Sequence, residues 1–237
     1  MRVRYLLVLA LLTASLSLSA AELPQLAPAP RNDKPDWMPH HNALVTQAKK
    51  GPYDLYFLGD SITEYWNDAG KDVWAKSYTP LKAGNFGIAA DKVENILWRV
   101  QNGEFEGQKP KLVVLLGGIN NTWATKADER EAKGRQIAAC LAETVKTIQQ
   151  KSPETKVLVL AVFPTADGRD TVVNAINTSL AKLDNGKTVR YLDLAPKLAP
   201  TGKAGTDNFG DGLHPNAKGY EVWAEAMAPL VKEMLGK

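Results

Sequence analysis

Cysteine is almost missing from this chain: Cys140 is the only one in 237 residues, so no internal disulfide can staple the fold. It stands between Ile137 and Leu141 in a helical pattern, which predicts a buried structural thiol rather than a reactive one. Histidine is scarce as well, with three in all. His40 and His41 are adjacent, and neighbouring side chains on a helix diverge, so they are expected in surface or packing roles and not as joint metal ligands. There is no Cys/His cluster, no G-x-G-x-x-G and no P-loop signature, and neither a metal nor a cofactor is expected. Long apolar runs are absent except near the start. There, Tyr5 to Leu18 follows the basic Met1-Arg2-Val3-Arg4 and precedes the small residues Ser19-Ala20-Ala21. That run is too short and too rich in Ser and Thr to span a bilayer, and the pattern predicts a signal peptide over residues 1–21, cleaved before Glu22. No cysteine follows it to carry a lipid anchor. Cleavage would remove two arginines and no acid, leaving 27 basic against 26 acidic residues. A net charge of +1 offers no basic surface for nucleic acid.

What is present is ordinary globular composition, 44% hydrophobic and 23% charged, in a length that suits one large domain. Residues 22–36, "ELPQLAPAPRNDKPD", read as a flexible, Pro-rich lead-in to a single domain over 37–237. A short helix is expected from Trp37 to Lys50. Five strand candidates follow: "DLYFLG" (54–59), "AGNFGI" (83–88), "KLVVLLGG" (111–118), "KVLVLAVF" (156–163) and "VRYLDL" (189–194). Near-continuous Val/Leu runs suit strands buried on both faces of a parallel sheet. Helical spacing fills the gaps: Val93, Ile96, Leu97 and Val100 share a face, as do Ile137, Leu141, Val145 and Ile148. After Pro215, a last helix aligns Tyr220, Trp223, Met227, Leu230, Val231 and Met234. Alternation of strand and helix at this spacing predicts an α/β fold, a three-layer α/β/α sandwich with a five-stranded parallel sheet and right-handed crossovers.

Ligands of open parallel sheets bind beyond the carboxyl ends of the strands. Five residues fall there although far apart in sequence: Ser61 after the first strand, in "GDSITE"; Gly87 at the end of the second, in "NFGIAAD"; Asn120 after the third, in "GGINNT"; and Asp211 and His214 in "DGLHPN". A serine hydroxyl needs a base, and His214 is the histidine on this rim. The imidazole needs an acceptor to fix its tautomer, which Asp211 can be. A tetrahedral oxyanion needs donors, available from the N–H groups of Ser61 and Gly87 and the amide of Asn120. Singly, each has a plainer reading. Ser61-x-x-Glu64 is a helix-capping pattern, Gly87 suits a turn and Asn120 suits a loop.

Together, the four blocks "GDSIT", "NFGIAAD", "GINN" and "DGLHP" resemble those of the SGNH (GDSL-type) hydrolases. The stretch "NFGIAADKVENILWRVQNGEFEGQKPKLVVLLGGINN" is similar to the platelet-activating-factor acetylhydrolase alpha-subunit-like branch. The resemblance runs from about Trp37 to Leu235. It implies a flavodoxin-like sandwich, a Ser61–His214–Asp211 triad, and an oxyanion hole from Ser61, Gly87 and Asn120; it also suggests homodimers, though no interface motif is visible. Ile119 departs from the branch, which has a small or hydroxylated residue there, and could tilt the Asn120 loop. Asn121 departs from the broader family and agrees with the branch.

Trp66, Trp123 and Phe163 each follow a strand end and are candidates to line an acyl or sugar pocket. Core packing is the competing reading, equal for Trp66 and stronger for the other two. The sequons at Asn120 and Asn177 read as chance matches in a bacterial export. The expected protein is a periplasmic or secreted, metal-independent serine esterase that acts through an acyl-serine intermediate. The branch favours a short acyl group, acetyl above all, and export favours an acetylated carbohydrate. A lipid or lysophospholipid esterase, a periplasmic O-acetyltransferase and a non-catalytic carbohydrate-binding protein on the same fold are the alternatives.

Overall fold

The computed structural model describes residues 23–237; the expected signal peptide lies outside the described residues. Five parallel strands form one sheet: β1 (Leu55–Gly59), β2 (Ala83–Gly87), β3 (Leu112–Leu116), β4 (Lys156–Leu160) and β5 (Val189–Leu192), in the order β2-β1-β3-β4-β5. Every strand candidate forms, but most are trimmed at the carboxyl end. The residues beyond the trim, such as Gly117-Gly118 and Val162-Phe163, leave the ladder for rim loops. Strands β1 and β3 are buried at every position, as their unbroken apolar runs require of central strands covered on both faces.

The helices are α1 (Trp37–Lys49), α2 (Ser61–Glu64), α3 (Lys71–Ser77), α4 (Val93–Gln101), α5 (Arg130–Lys151), α6 (Asp170–Leu180), α7 (Ala195–Leu198) and α8 (Ala217–Leu235). Helices α4, α5 and α6 pack side by side, and α1 joins them through Trp37 against Trp98, ring centroids 5.5 Å apart. Helices α3 and α7 pack against α8. The result is an α/β/α sandwich. Helix α8 starts where Asn216 caps it, its side chain accepting from Gly219 N at 3.0 Å. Tyr220, Trp223, Met227, Val231 and Met234 are buried along one face, as the spacing predicts, while Leu230 is only half-buried. Cys140 is buried, and burial pushes its thiol up to about 12, so it stays protonated.

The strand order places the topological switch between β1 and β3: the chain crosses from β1 to β2 on one side and then proceeds to β3 on the other. Ser61 and Asn120 follow those two strands.

Among its described residues, 23–36, the lead-in makes hydrogen bonds to the helices beside it. Ala29 N donates to Glu94 O at 3.2 Å, Asn95 Nδ2 donates to Ala29 O at 2.9 Å, and Gln136 donates to Pro24 O. Extended Pro-rich backbone leaves its carbonyls unpaired, and the side-chain amides of α4 and α5 take them.

Candidate active site

At the end of β1 the chain turns directly into α2. Asp60 is the cap: its Oδ1 accepts from Ile62 N at 3.0 Å. Ser61 is therefore the first helical residue and not the cap its spacing to Glu64 suggests, and its hydroxyl is free for another partner. That partner is His214. Ser61 Oγ lies 2.9 Å from His214 Nε2, and His214 Nδ1 lies 2.7 Å from Asp211 Oδ2. With the ring proton on Nδ1, His214 donates to Asp211 and leaves Nε2 to accept from the serine hydroxyl.

The loop that carries this pair is held on several sides. Asp211 Oδ1 accepts from the backbone N–H groups of Leu213 and His214, at 3.0 and 2.7 Å. Gly212 turns the chain at φ +78°, and its carbonyl accepts from Ala166 N at 3.0 Å. Partial burial pushes the Asp211 carboxyl up, but the His214 backbone and ring N–H and the Leu213 N–H outweigh it and hold the group below its usual range. Tyr65 lies over the imidazole with ring centroids 4.9 Å apart. On the far side of α2, Tyr220 Oη donates to Ile62 O at 2.7 Å, which pins the serine turn to α8.

Gly87 requires a correction. Its N–H already donates to Asn85 Oδ1 at 3.0 Å. Asn85 Nδ2 in turn donates to Thr63 O and Glu64 O at 3.0 and 3.1 Å, so this side chain staples the end of β2 to α2. Glycine is required at 87 for another reason. A Cβ there would come within 2.7 Å of Glu64 Cα and 2.8 Å of Asp60 O.

The neighbouring turn offers a different donor. Asp91 N donates to Ile88 O at 3.2 Å, which closes a tight turn with Ala90 at φ +60°. Ala89 N donates to Glu64 Oε2 at 2.6 Å, and Asp91 O accepts from Asn120 Nδ2 at 3.0 Å. Ala90 sits between these two anchors, exposed on the rim, with an N–H that donates to no acceptor among the described residues. An alanine carries no mark of left-handed backbone in a sequence, so this donor was not legible there.

Asn120 lies on a 3₁₀ turn, Ile119–Asn121, after β3. Its amide has two protons; one binds Asp91 O and the other remains for a ligand. Asn121 faces away and caps α4, accepting from Val93 N at 2.9 Å and donating to Glu94 at 2.7 Å. Ile119 is buried in the core beneath the turn. Of the sequons, Asn177 exchanges two hydrogen bonds with the backbone of Val162, at 2.8 and 2.9 Å.

The aromatic candidates separate. Trp66 and Phe163 are buried in the core and do not line the rim: Trp66 packs on Tyr220 and Trp223 with centroids 4.4 and 4.9 Å apart, and Phe163 meets Trp223 edge-on at 5.1 Å. Trp123 is the reverse of a core residue, 55% exposed. The Arg169 guanidinium lies 3.6 Å from its ring centroid and is itself held by Asp167 at 2.8 Å and Thr122 at 3.0 Å. One face of the indole is thus fixed in place three residues beyond Asn120. His41 is buried, 3.1 Å from Glu104 and 2.9 Å from Asn102 O, whereas His40 stays near the surface, 3.8 Å from Glu64.

Residues 57–222 match the model of the GDSL-like Lipase/Acylhydrolase family. The chain belongs to that family. It is similar to the alpha2 subunit of platelet-activating factor acetylhydrolase IB from Rattus norvegicus, 30% identical over 207 residues that cover 84% of this chain and 85% of the relative. Among solved structures it resembles a GDSL-like lipase from Bacteroides thetaiotaomicron, with a TM-score of 0.65 at 18% identity over 81% of this chain and 97% of that one. It also resembles a carbohydrate esterase family 3 protein from Talaromyces cellulolyticus, with a TM-score of 0.51 at 17% identity over 78% of this chain and 98% of that one. Family membership makes the chain a carboxylic ester hydrolase, and the three-layer α/β fold is the one its neighbours share.

Proposed function

We propose that this GDSL-family esterase is exported and removes a short acyl group, acetyl foremost, from an acetylated carbohydrate through an acyl-serine intermediate. The observation that carries the chemistry is the relay Asp211–His214–Ser61, with successive contacts of 2.7 and 2.9 Å. His214 takes the Ser61 proton as Oγ attacks the ester carbonyl, while Asp211 holds the imidazole and stabilises its charge. The Ser61 N–H has no intrahelical acceptor, the Ala90 N–H has none among the described residues, and Asn120 Nδ2 has a spare proton; these three donors receive the oxyanion. His214 then protonates the departing alcohol, and water repeats the sequence on acyl-Ser61.

The substrate class rests on three supports. The relative is named an acetylhydrolase. A structural neighbour is named a carbohydrate esterase. Trp123, flat, exposed and backed by Arg169, suits the apolar face of a pyranose ring beside the site. Export rests on the amino-terminal pattern of residues 1–21.

Turnover of p-nitrophenyl acetate tests the reading. Wild type should hydrolyse it and take up one fluorophosphonate at Ser61, and Ser61→Ala should do neither. A wild-type protein that neither turns over nor labels overturns it. Preference for octanoyl over acetyl esters would transfer the assignment to a lipid ester.

A further inference from the structure

Beneath the rim lies a charged cluster that the acyl-transfer steps do not use. Arg99, on α4, is fully buried, and its planar fork reaches four places. Nη2 donates to Gly59 O at 2.9 Å, and Nη1 donates to Phe86 O at 3.0 Å and to Glu104 Oε2 at 2.6 Å. Nε lies 2.8 Å from Asp91 Oδ2, an ion pair without a well-aligned N–H.

Three of these partners lie at the strand ends and the turn that lead into the proposed donors. Gly59 ends β1 two residues before Ser61, Phe86 is the last residue but one of β2, ahead of the turn 88–91, and Asp91 follows Ala90 and receives the Asn120 amide on its carbonyl. Two side chains of α1 hold the carboxylate partners of Arg99 in turn. Trp37 Nε1 donates to Asp91 Oδ1 at 2.6 Å, and His41 meets Glu104 at 3.1 Å. Packing alone does not account for this arrangement, because burying a guanidinium with carboxylates is no more stabilising than burying apolar side chains of the same volume. A planar, multiply donating group is what can span two backbone carbonyls and two carboxylates at once; a lysine ammonium cannot.

We propose that Arg99 is a positioning residue for acyl transfer, fixing the relative placement of Ser61, Ala90 and Asn120 by holding the ends of β1 and β2 and the Asp91 turn to one guanidinium. The inference rests on the reading of Ser61 as nucleophile. Misplacement of donors by about an ångström costs on the order of 10²-fold in rate without touching ground-state binding.

The test uses the full-length enzyme, with kcat and KM for p-nitrophenyl acetate expressed per Ser61 titrated to completion by a fluorophosphonate, so that unfolded protein does not count. Arg99→Lys should lower kcat per titrated site about 10²-fold with KM little changed. Trp37→Phe keeps an aromatic ring and removes the N–H to Asp91; it should lower kcat in the same direction by less. Both variants should keep the wild-type pH profile, because Asp211 and His214 are untouched. If Arg99→Lys fails to fold, Trp37→Phe decides alone. Unchanged kcat per titrated site in the variants that fold, whatever happens to yield or melting temperature, overturns the positioning role. A wild type that does not titrate overturns instead the nucleophile reading on which it rests.

Discussion

Asp211 grips His214 twice: one carboxylate oxygen accepts from its backbone N–H and the other from its ring, both at 2.7 Å. The short Asp-x-x-His spacing makes this possible, since one turn of loop brings main chain and imidazole to the same carboxylate. Backbone and side chain are therefore oriented by a single group. In Asp211→Asn the amide keeps an oxygen for the backbone but no longer stabilises the imidazolium. We expect kcat on p-nitrophenyl acetate to fall about 10⁴-fold with the loop still folded, measured by steady-state kinetics and circular dichroism. Retention of wild-type kcat would remove Asp211 from the relay.

Gly87 and Ala90 make opposite predictions at neighbouring positions. Gly87→Ala drives a Cβ into the backbone of Asp60 and Glu64. Relieving that overlap shifts the Ser61 turn, at a cost of about 1–3 kcal/mol in chemical denaturation and with loss of turnover.

Ala90→Gly relaxes a left-handed alanine at φ +60° and leaves the N–H in place. It should stabilise the fold by about 1 kcal/mol and preserve kcat, read from urea midpoints and initial rates. Loss of kcat in a folded Ala90→Gly, whose N–H is intact, would mean that position 90 supplies more than that donor.

Asp60 is wholly buried; burial pushes its carboxyl up to about 7, with Asp91 adding to the shift and the Ile62 N–H and Arg99 opposing it. From the ordinary value of 3.8 to about 7, the folded protein holds a proton that the unfolded chain has released. Its contribution to stability is therefore full on the acid side and is lost as pH rises through about 7. Asp91, pushed up to about 6 chiefly by burial, adds a slope of the same sign. Asp60→Asn keeps the oxygen that accepts from Ile62 and does not titrate. Thermal unfolding should show a smaller loss of Tm from acid to neutral pH in Asp60→Asn than in wild type. Equal slopes would mean that Asp60 does not hold the proton.

Trp123→Ala should raise KM for an acetylated pyranoside roughly fivefold, the effect of about 1 kcal/mol, and leave p-nitrophenyl acetate kinetics unchanged. Equal effects on both substrates would deny the indole a sugar-facing role.

The sequence by itself determined the sheet, because buried parallel strands must be continuously apolar and their runs stand out. It also marked Ser61, Asn120, Asp211 and His214 as candidates, since each lies just past a strand end or in a compact polar block. Its reading stopped where a side chain or a backbone group answers to neighbours distant in the chain. Nothing local tells Asp60 rather than Ser61 to cap α2, or indicates that the Gly87 N–H is taken by Asn85 and the Ala90 N–H left open. Trp66 and Trp123 follow strand ends in the same way, yet one is enclosed by Tyr220 and Trp223 and the other is held outward by Arg169. The Pro-rich lead-in lacks any apolar pattern to predict docking, and is held because amides on α4 and α5 meet its carbonyls. Strand pattern is a property of adjacent residues and is legible in order; hydrogen-bond partnership across loops is a property of the packed molecule, and only the tertiary structure decided it.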